Sequence, residues 1–150
     1  RGGTGVHQPL PQFGIHVQGY VTMIGGVAAE LPAEVSDEAY RARFAAAEES
    51  EVRCPDGEAS KAMKSRIQEA IRARDTLGGV FEIAALGLPP GLGSHVHSDR
   101  RLSARLYAEV GSIQAIKGVE IGAGFAQAAD YGTAVHDPIT LDDAGNLTCP

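Results

Sequence analysis

The chain lacks tryptophan altogether, and aromatic residues make up only 5% of its 150 positions. Stacking platforms for single-stranded nucleic acid need rows of aromatic side chains, so that class is disfavoured. No basic tract stands out, and the net charge is −6. Neither polyanions nor an anionic membrane surface suit such a chain as a main partner. No apolar run approaches the roughly 18 residues that a membrane-spanning helix requires. The opening residues, RGGTGVHQPLPQ, carry no apolar stretch of the signal-peptide kind. Cysteine is scarce: Cys54 and Cys149 form no CxxC pair, and two thiols alone cannot build a tetrahedral zinc site. A reducing, cytoplasmic setting is the expectation.

What the chain does have is a soluble globular balance, with 43% hydrophobic and 21% charged residues. Its length suffices for one domain with a core. It opens without methionine and stops at NLTCP, so a piece of a longer protein is expected. Residues 1–12 hold three glycines and two prolines without periodicity and read as an irregular lead-in. FGIHVQGYVTMI (13–24) alternates, which predicts a half-buried strand with Phe13, Ile15, Val17, Val21 and Met23 inward and His16, Gln18, Tyr20 and Thr22 outward. Ser36 or Asp37 is placed to cap a helix over EAYRARFAAAEE. CPDGEASKAMKSRIQEAIRARD follows, with Ala59, Met63, Ile67 and Ala70/Ile71 at helical spacing. DTLGG breaks it. GVFEIAALG is apolar on both faces except at Glu82 and reads as a central strand.

LPPGLGSHVHSD is a loop. Ser98 or Asp99 is placed to cap a helix with the stripe Leu102, Leu106, Val110 and Ile113. IKGVEIG predicts a third strand, GFAQAADYG a short helix or turn, and HDPITLDDAGNLTCP a polar loop. The order β-α-α-β-α-β-α, without internal repeats, implies an α+β layer packing with helices over one face of a sheet.

Several residues invite chemistry. GAGFAQ resembles the start of a dinucleotide fingerprint, but Gln127 stands at the third glycine position, and the fingerprint fails. His95 and His97 share one side of an extended segment, yet only Asp99 is near as a further ligand; a polar loop with two surface histidines is the plainer reading. His136-Asp137 suits imidazole orientation but equally an ordinary loop pair. Glu82 and Glu120 interrupt apolar runs and suit acid–base work in a shared cleft, or an ion pair with a residue such as Lys117.

Taken in order, the blocks DTLGG (75–79), GLPPGLG (87–93), the Asp99–Val110 helix, SIQAIKGVEIGAGF (112–125) and GTAVHD (132–137) resemble the middle of the chorismate synthase family. FGIHVQGYVTMIGGV and VRCPDGEASKAMKSRIQEAI are similar to it too, so that the likeness runs over residues 13–138. Residues 1–12 depart from the family's alanine-rich helix, and Ala123 stands where an aspartate is usual. The resemblance implies one partial domain over residues 1–150, with the α+β fold of a β-α-β sandwich. It implies a homotetrameric lyase that converts 5-enolpyruvylshikimate 3-phosphate to chorismate and phosphate by 1,4-anti elimination. Reduced FMN is the implied cofactor, with NADPH among the candidate reductants. It also implies that Gln114 and Ala115, in the S-I-x-A turn, contact the flavin, where a small side chain lets a flat ring approach and an amide both donates and accepts. Gly118, Gly122 and Gly124 are expected to allow close packing nearby. The family's acid–base histidines and most phosphate-binding arginines fall outside these residues, so no catalytic residue is assigned here, and no metal. The rival expectation is a non-catalytic core or subunit-interface piece.

Overall fold

The computed structural model describes residues 10–33, 36–136, 140–141, 145 and 147–148. The chain divides into two compact units, residues 1–88 and 89–150.

In the first unit, a single 3-10 turn (Leu10–Phe13) leads into β1 (His16–Ile24). Gly25 and Gly26, both at positive φ (58° and 84°), form a two-residue hairpin loop to β2 (Val27–Ala28). Two consecutive left-handed residues are what a type I′ hairpin demands, and glycine adopts them without a Cβ clash. Helix α1 (Asp37–Glu48) starts at Ser36, whose hydroxyl accepts from the Ala39 amide. Helix α2 (Gly57–Ala73) starts at Asp56, whose carboxylate accepts from the Glu58 and Ala59 amides. It ends where Arg74 turns left-handed. Strand β3 (Gly79–Leu86) returns antiparallel along β1, giving the sheet order β2-β1-β3. A bulge between Val21 and Met23 interrupts the register.

Two apolar clusters hold this unit. Tyr20, Phe44, Ala47 and Leu86 form one, joined by Leu31, Tyr40 and Ala84. Cys54, Ala59 and Met63 form the other, with Val21, Ile24 and Val27 packed against it. The predicted α2 stripe is therefore in place at Ala59 and Met63, while Ile71 is 69% exposed.

The faces of β1 differ from the alternation expected. Tyr20, assigned outward, is 1% exposed, whereas Val17 is 40% and Phe13 75% exposed. The reason is that Tyr20 carries both a large apolar ring and a hydroxyl that the interior satisfies. Its ring packs against Phe44 at 6.1 Å between centroids. Its hydroxyl accepts from Arg43 Nη1 at 3.2 Å and engages the Glu82 carboxylate. Tyr40 shares Glu82, and the Arg43 guanidinium lies 5.0 Å over the Tyr40 ring. Glu82 is thus a partner of Tyr20 and Tyr40, with the Arg43 guanidinium near enough to feel its charge. Strand β3 was also expected to be central; among the described residues it is an edge.

In the second unit, Ser94 closes the proline- and glycine-rich loop: its amide donates to Arg100 O at 3.0 Å, and its hydroxyl accepts from the Val96 amide at 3.2 Å. A 3-10 turn (Ser98–Arg100) precedes α3 (Leu102–Ser112). The helix starts later than predicted, because Arg101 is extended and supplies no side-chain cap. IKGVEIG runs without a strand partner, which corrects the third predicted strand; a ladder needs a neighbour, and none is present among the described residues. A 3-10 stretch (Gly124–Ala129), α4 (Gly132–Val135) and a pairing of β4 (Thr140–Leu141) with β5 (Leu147–Thr148) complete the unit. That pairing lies where only a loop was expected. No residue of this unit over 89–136, 140–141 and 145 is buried. No helix among the described residues is long and apolar enough to cross a membrane.

Burial drives the Tyr20 hydroxyl up to about 12, with the Glu82 carboxylate adding to the rise and Arg43 opposing it. The unfolded phenol titrates near 10. The native state therefore holds this proton more tightly, and its contribution is complete below about pH 10 and lost as pH rises towards 12. Tyr20→Phe should cost about 1–3 kcal/mol at neutral pH by leaving Arg43 and Glu82 without the hydroxyl between them. The variant should also lose part of the stability decline between pH 10 and 12. Denaturant unfolding at several pH values checks both.

Candidate functional site

The S-I-x-A turn is built by the end of α3. Ser112 Oγ donates to Glu109 O at 2.7 Å, tying off the last helical turn. The Ile113 amide then donates to Val110 O at 3.2 Å, and the Ile116 amide to Ile113 O at 3.2 Å. Residues 113–116 are thus closed by a hydrogen bond between the first carbonyl and the fourth amide. Ala115, third in that turn, has φ +72°. A type II turn requires positive φ at this position and normally takes glycine there. Alanine in the left-handed region costs about 1–2 kcal/mol through the clash of its Cβ.

Gln114 and Ala115 are both exposed, and so is Ile113, at 52%. No hydrogen bond joins the Gln114 amide to another described residue. The turn therefore offers one amide able to donate and accept, one small side chain held at strained backbone, and an apolar neighbour. Such a surface suits a flat ligand with polar edges. Both expected flavin contacts lie together on this turn. Its left-handed alanine was not legible in the motif, since alanine gives no warning of positive φ; glycine would have.

The glycines downstream act differently from expectation. A Cβ at Gly118 or Gly122 would meet nothing within 4 Å, so close packing explains neither. Gly122 and Gly124 sit at φ +62° and +50°, which glycine tolerates at no steric cost. Gly124 also lies under the Glu120 side chain, where a Cβ would clash.

The other candidates lie on other segments of the chain. His95, His97 and His136 are distributed along the second unit, with His95 and His97 exposed and His136 following α4. Asp137 lies outside the described residues. Among the described residues, no three His, Cys, Asp or Glu side chains stand close enough to hold a metal ion. The Cys54 thiol is buried, and burial pushes it up from its ordinary value, away from the reactive thiolate.

Against this geometry stand the comparisons with known proteins. A sequence profile of the family described as chorismate synthase matches residues 2–148. A chorismate synthase of Symbiobacterium thermophilum is 54% identical over 132 residues, covering 88% of this chain and 33% of that protein. One from Acidothermus cellulolyticus is 55% identical over 127 residues, covering 84% of this chain and 31% of that protein. A crystal structure of chorismate synthase superimposes with a TM-score of 0.85 at 40% identity, covering 93% of this chain and 43% of the other. The chain spans about a third of the length of the curated relatives it matches.

The strain at Ala115 gives a direct expectation. In the full-length protein without flavin, Ala115→Gly should raise stability by about 1 kcal/mol, because relief of the left-handed clash outweighs the added freedom of the unfolded glycine. Thermal unfolding measures it. A fall in stability would show that the alanine is not strained in the whole protein.

Proposed function

The chain belongs to the chorismate synthase family, and from that we propose that its parent protein converts 5-enolpyruvylshikimate 3-phosphate to chorismate and phosphate, with reduced FMN as cofactor. The family match over residues 2–148 carries this reading. The fold supports it, since an α+β arrangement at TM-score 0.85 and 40% identity reaches across 93% of the chain. The reading places the parent in the cytoplasm as a homotetramer. It extends to the implied cofactor contacts of this chain.

Reduced FMN, when bound, supplies an electron-rich ring that assists the departure of phosphate and of a ring proton. The residues of this chain bind and orient it. The Gln114 amide is exposed and unpaired among the described residues, so it is free to meet a ring or ribityl polar group. Ala115 keeps the surface beside it low, and its strained backbone is held by the Ile113–Ile116 turn. The exposed Ile113 side chain offers an apolar neighbour to a flat face. Positioning of this kind is the protein's share of a cofactor reaction. No proton-transfer step is assigned to His95, His97 or His136.

The test of the activity is direct: the full-length protein supplied with reduced FMN should form chorismate from 5-enolpyruvylshikimate 3-phosphate, and the 150-residue chain alone should form none. Chorismate made by the chain alone would overturn the placement of the catalytic groups outside it. For the cofactor contacts, Gln114→Ala in the full-length protein should weaken FMN binding by about 1–2 kcal/mol, the scale for losing a polar partner. Ala115→Leu should leave apo stability nearly unchanged, because the site is open, while FMN affinity collapses. Fluorescence titration beside thermal unfolding separates the effects. Unchanged affinity in both variants would remove this turn from the flavin site.

A further inference from the structure

Among the described residues, Arg53, Arg74 and Ala115 sit at positive φ without being glycine. The two arginines are held there by hydrogen bonds of their own. The Arg53 carbonyl accepts from the Val21 amide at 2.8 Å, and its amide donates to Ser50 O at 3.0 Å. The Arg74 amide donates to Ile71 O at 3.2 Å as it closes α2. Ala115 has no such support. Neither its amide nor the Gln114 carbonyl bonds to another described residue.

These two groups belong to one peptide unit, the central one of the turn. Within residues 113–116 only Ala115 has positive φ, which makes the turn type II. Turning the central peptide over converts it to type I and carries Ala115 to negative φ. The bond from the Ile116 amide to Ile113 O closes the turn in either type, so it confines the peptide without fixing which way it faces. Glycine at position 115 would settle the choice in favour of type II. Alanine penalises type II through its Cβ, which brings the two orientations close in energy. Gln114 and Ala115 are exposed, so no packed side chain blocks the rotation.

The two orientations present opposite chemistry. Positive φ sets the Ala115 Cβ beside the preceding carbonyl oxygen. In type II the Gln114 carbonyl, an acceptor, therefore shares the side of the methyl group. In type I the Ala115 amide, a donor, takes its place there. A flavin ring tells these apart at N5. That nitrogen only accepts in the oxidised ring, whereas two electrons and one proton give the reduced anion with an N5–H donor. Hydrogen bonding at such ring nitrogens is a lever by which proteins tune a flavin.

We propose that the Gln114–Ala115 peptide is a switch that reads the redox state of the flavin. Its strained type II orientation pairs the Gln114 carbonyl with the N5 proton of the reduced ring. Against the oxidised ring it turns to type I, and the Ala115 amide donates to N5. The inference rests on the flavin contact proposed for this turn and adds to it a response to redox state. Alanine rather than glycine at position 115 is what leaves the peptide able to turn, so that the site holds the cofactor before as well as after reduction.

Redox titration of FMN bound to the full-length protein, with dithionite as reductant, tests the switch. Ala115→Gly favours type II, so oxidised FMN should bind about tenfold more weakly while reduced FMN binds as before. The potential of the bound flavin should rise by about 30 mV, the two-electron equivalent of that tenfold change. Ala115→Ser retains the Cβ clash and should retain the potential. Crystals of the full-length protein with oxidised FMN should show the Gln114 carbonyl turned over from its type II position, and reduction in the crystal should turn it back. An unchanged potential in the glycine variant would overturn the proposal. Loss of a mere methyl contact gives that result, because it weakens both redox states alike. A single peptide orientation in both crystals would overturn it even if the glycine variant failed to fold. Unchanged FMN affinity in Gln114→Ala and Ala115→Leu would remove the flavin reading itself, and the switch with it.

Discussion

Tyr20 must be buried, and its hydroxyl must be satisfied where it is buried. Both requirements fall on the same few residues. Phe44 and Leu86 give the ring its apolar surroundings, while Arg43 and Glu82 meet the oxygen. Those partners come from α1 and β3, so the network joins the helix, the first strand and the last strand of the unit. A buried hydroxyl left without partners costs about 1–3 kcal/mol, roughly twice what a satisfied hydrogen bond contributes. The arrangement therefore restrains the register of β1 on β3 as well as the seat of α1. Arg43 reinforces it by reaching Pro32 O at 2.5 Å, which ties the segment before α1 to the helix.

The second unit is organised by different forces. Over residues 89–136, 140–141 and 145 no side chain is buried, so hydrophobic burial contributes little to these segments. What shapes it locally is hydrogen bonding in turns: Ser94 across its loop, Ser112 at the end of α3, and Ile116 back to Ile113. Ala115 sits in the left-handed region inside that last turn. Strain of this sort persists where surroundings or function hold it. That turn presents a small side chain and an exposed amide that makes no hydrogen bond to another described residue. The same surplus of exposed apolar surface, Leu102, Leu106 and Tyr107 among it, fits a chain that makes up about a third of its relatives' length.

Helices and strands of this chain differ in what they require from other segments. A chain can satisfy its helices internally because each helical bond closes within four residues, but a strand has no such option. This is why α1 and α2 are complete within their own segments, whereas IKGVEIG has no strand partner and β3 pairs on one side only among the described residues.

Local chemistry alone determined α1 and α2: Ser36 and Asp56 cap where short polar side chains precede apolar periodicity, and DTLGG follows the end of α2. The ordered blocks from DTLGG to GAGF carried the family resemblance, and with it the expectation placed on Gln114 and Ala115. The Gly25-Gly26 hairpin also has a sequence signal, paired glycines after an alternating run. Tertiary structure decided the rest. Which face of β1 turns inward depended on whether Tyr20's hydroxyl found partners, and Arg43 and Glu82 lie 23 and 62 positions further along the chain. Whether Ala115 is strained depended on the turn closing through Ile116. Whether an apolar segment becomes a strand depended on a neighbour with free amides, since half of every ladder bond belongs to another segment of chain.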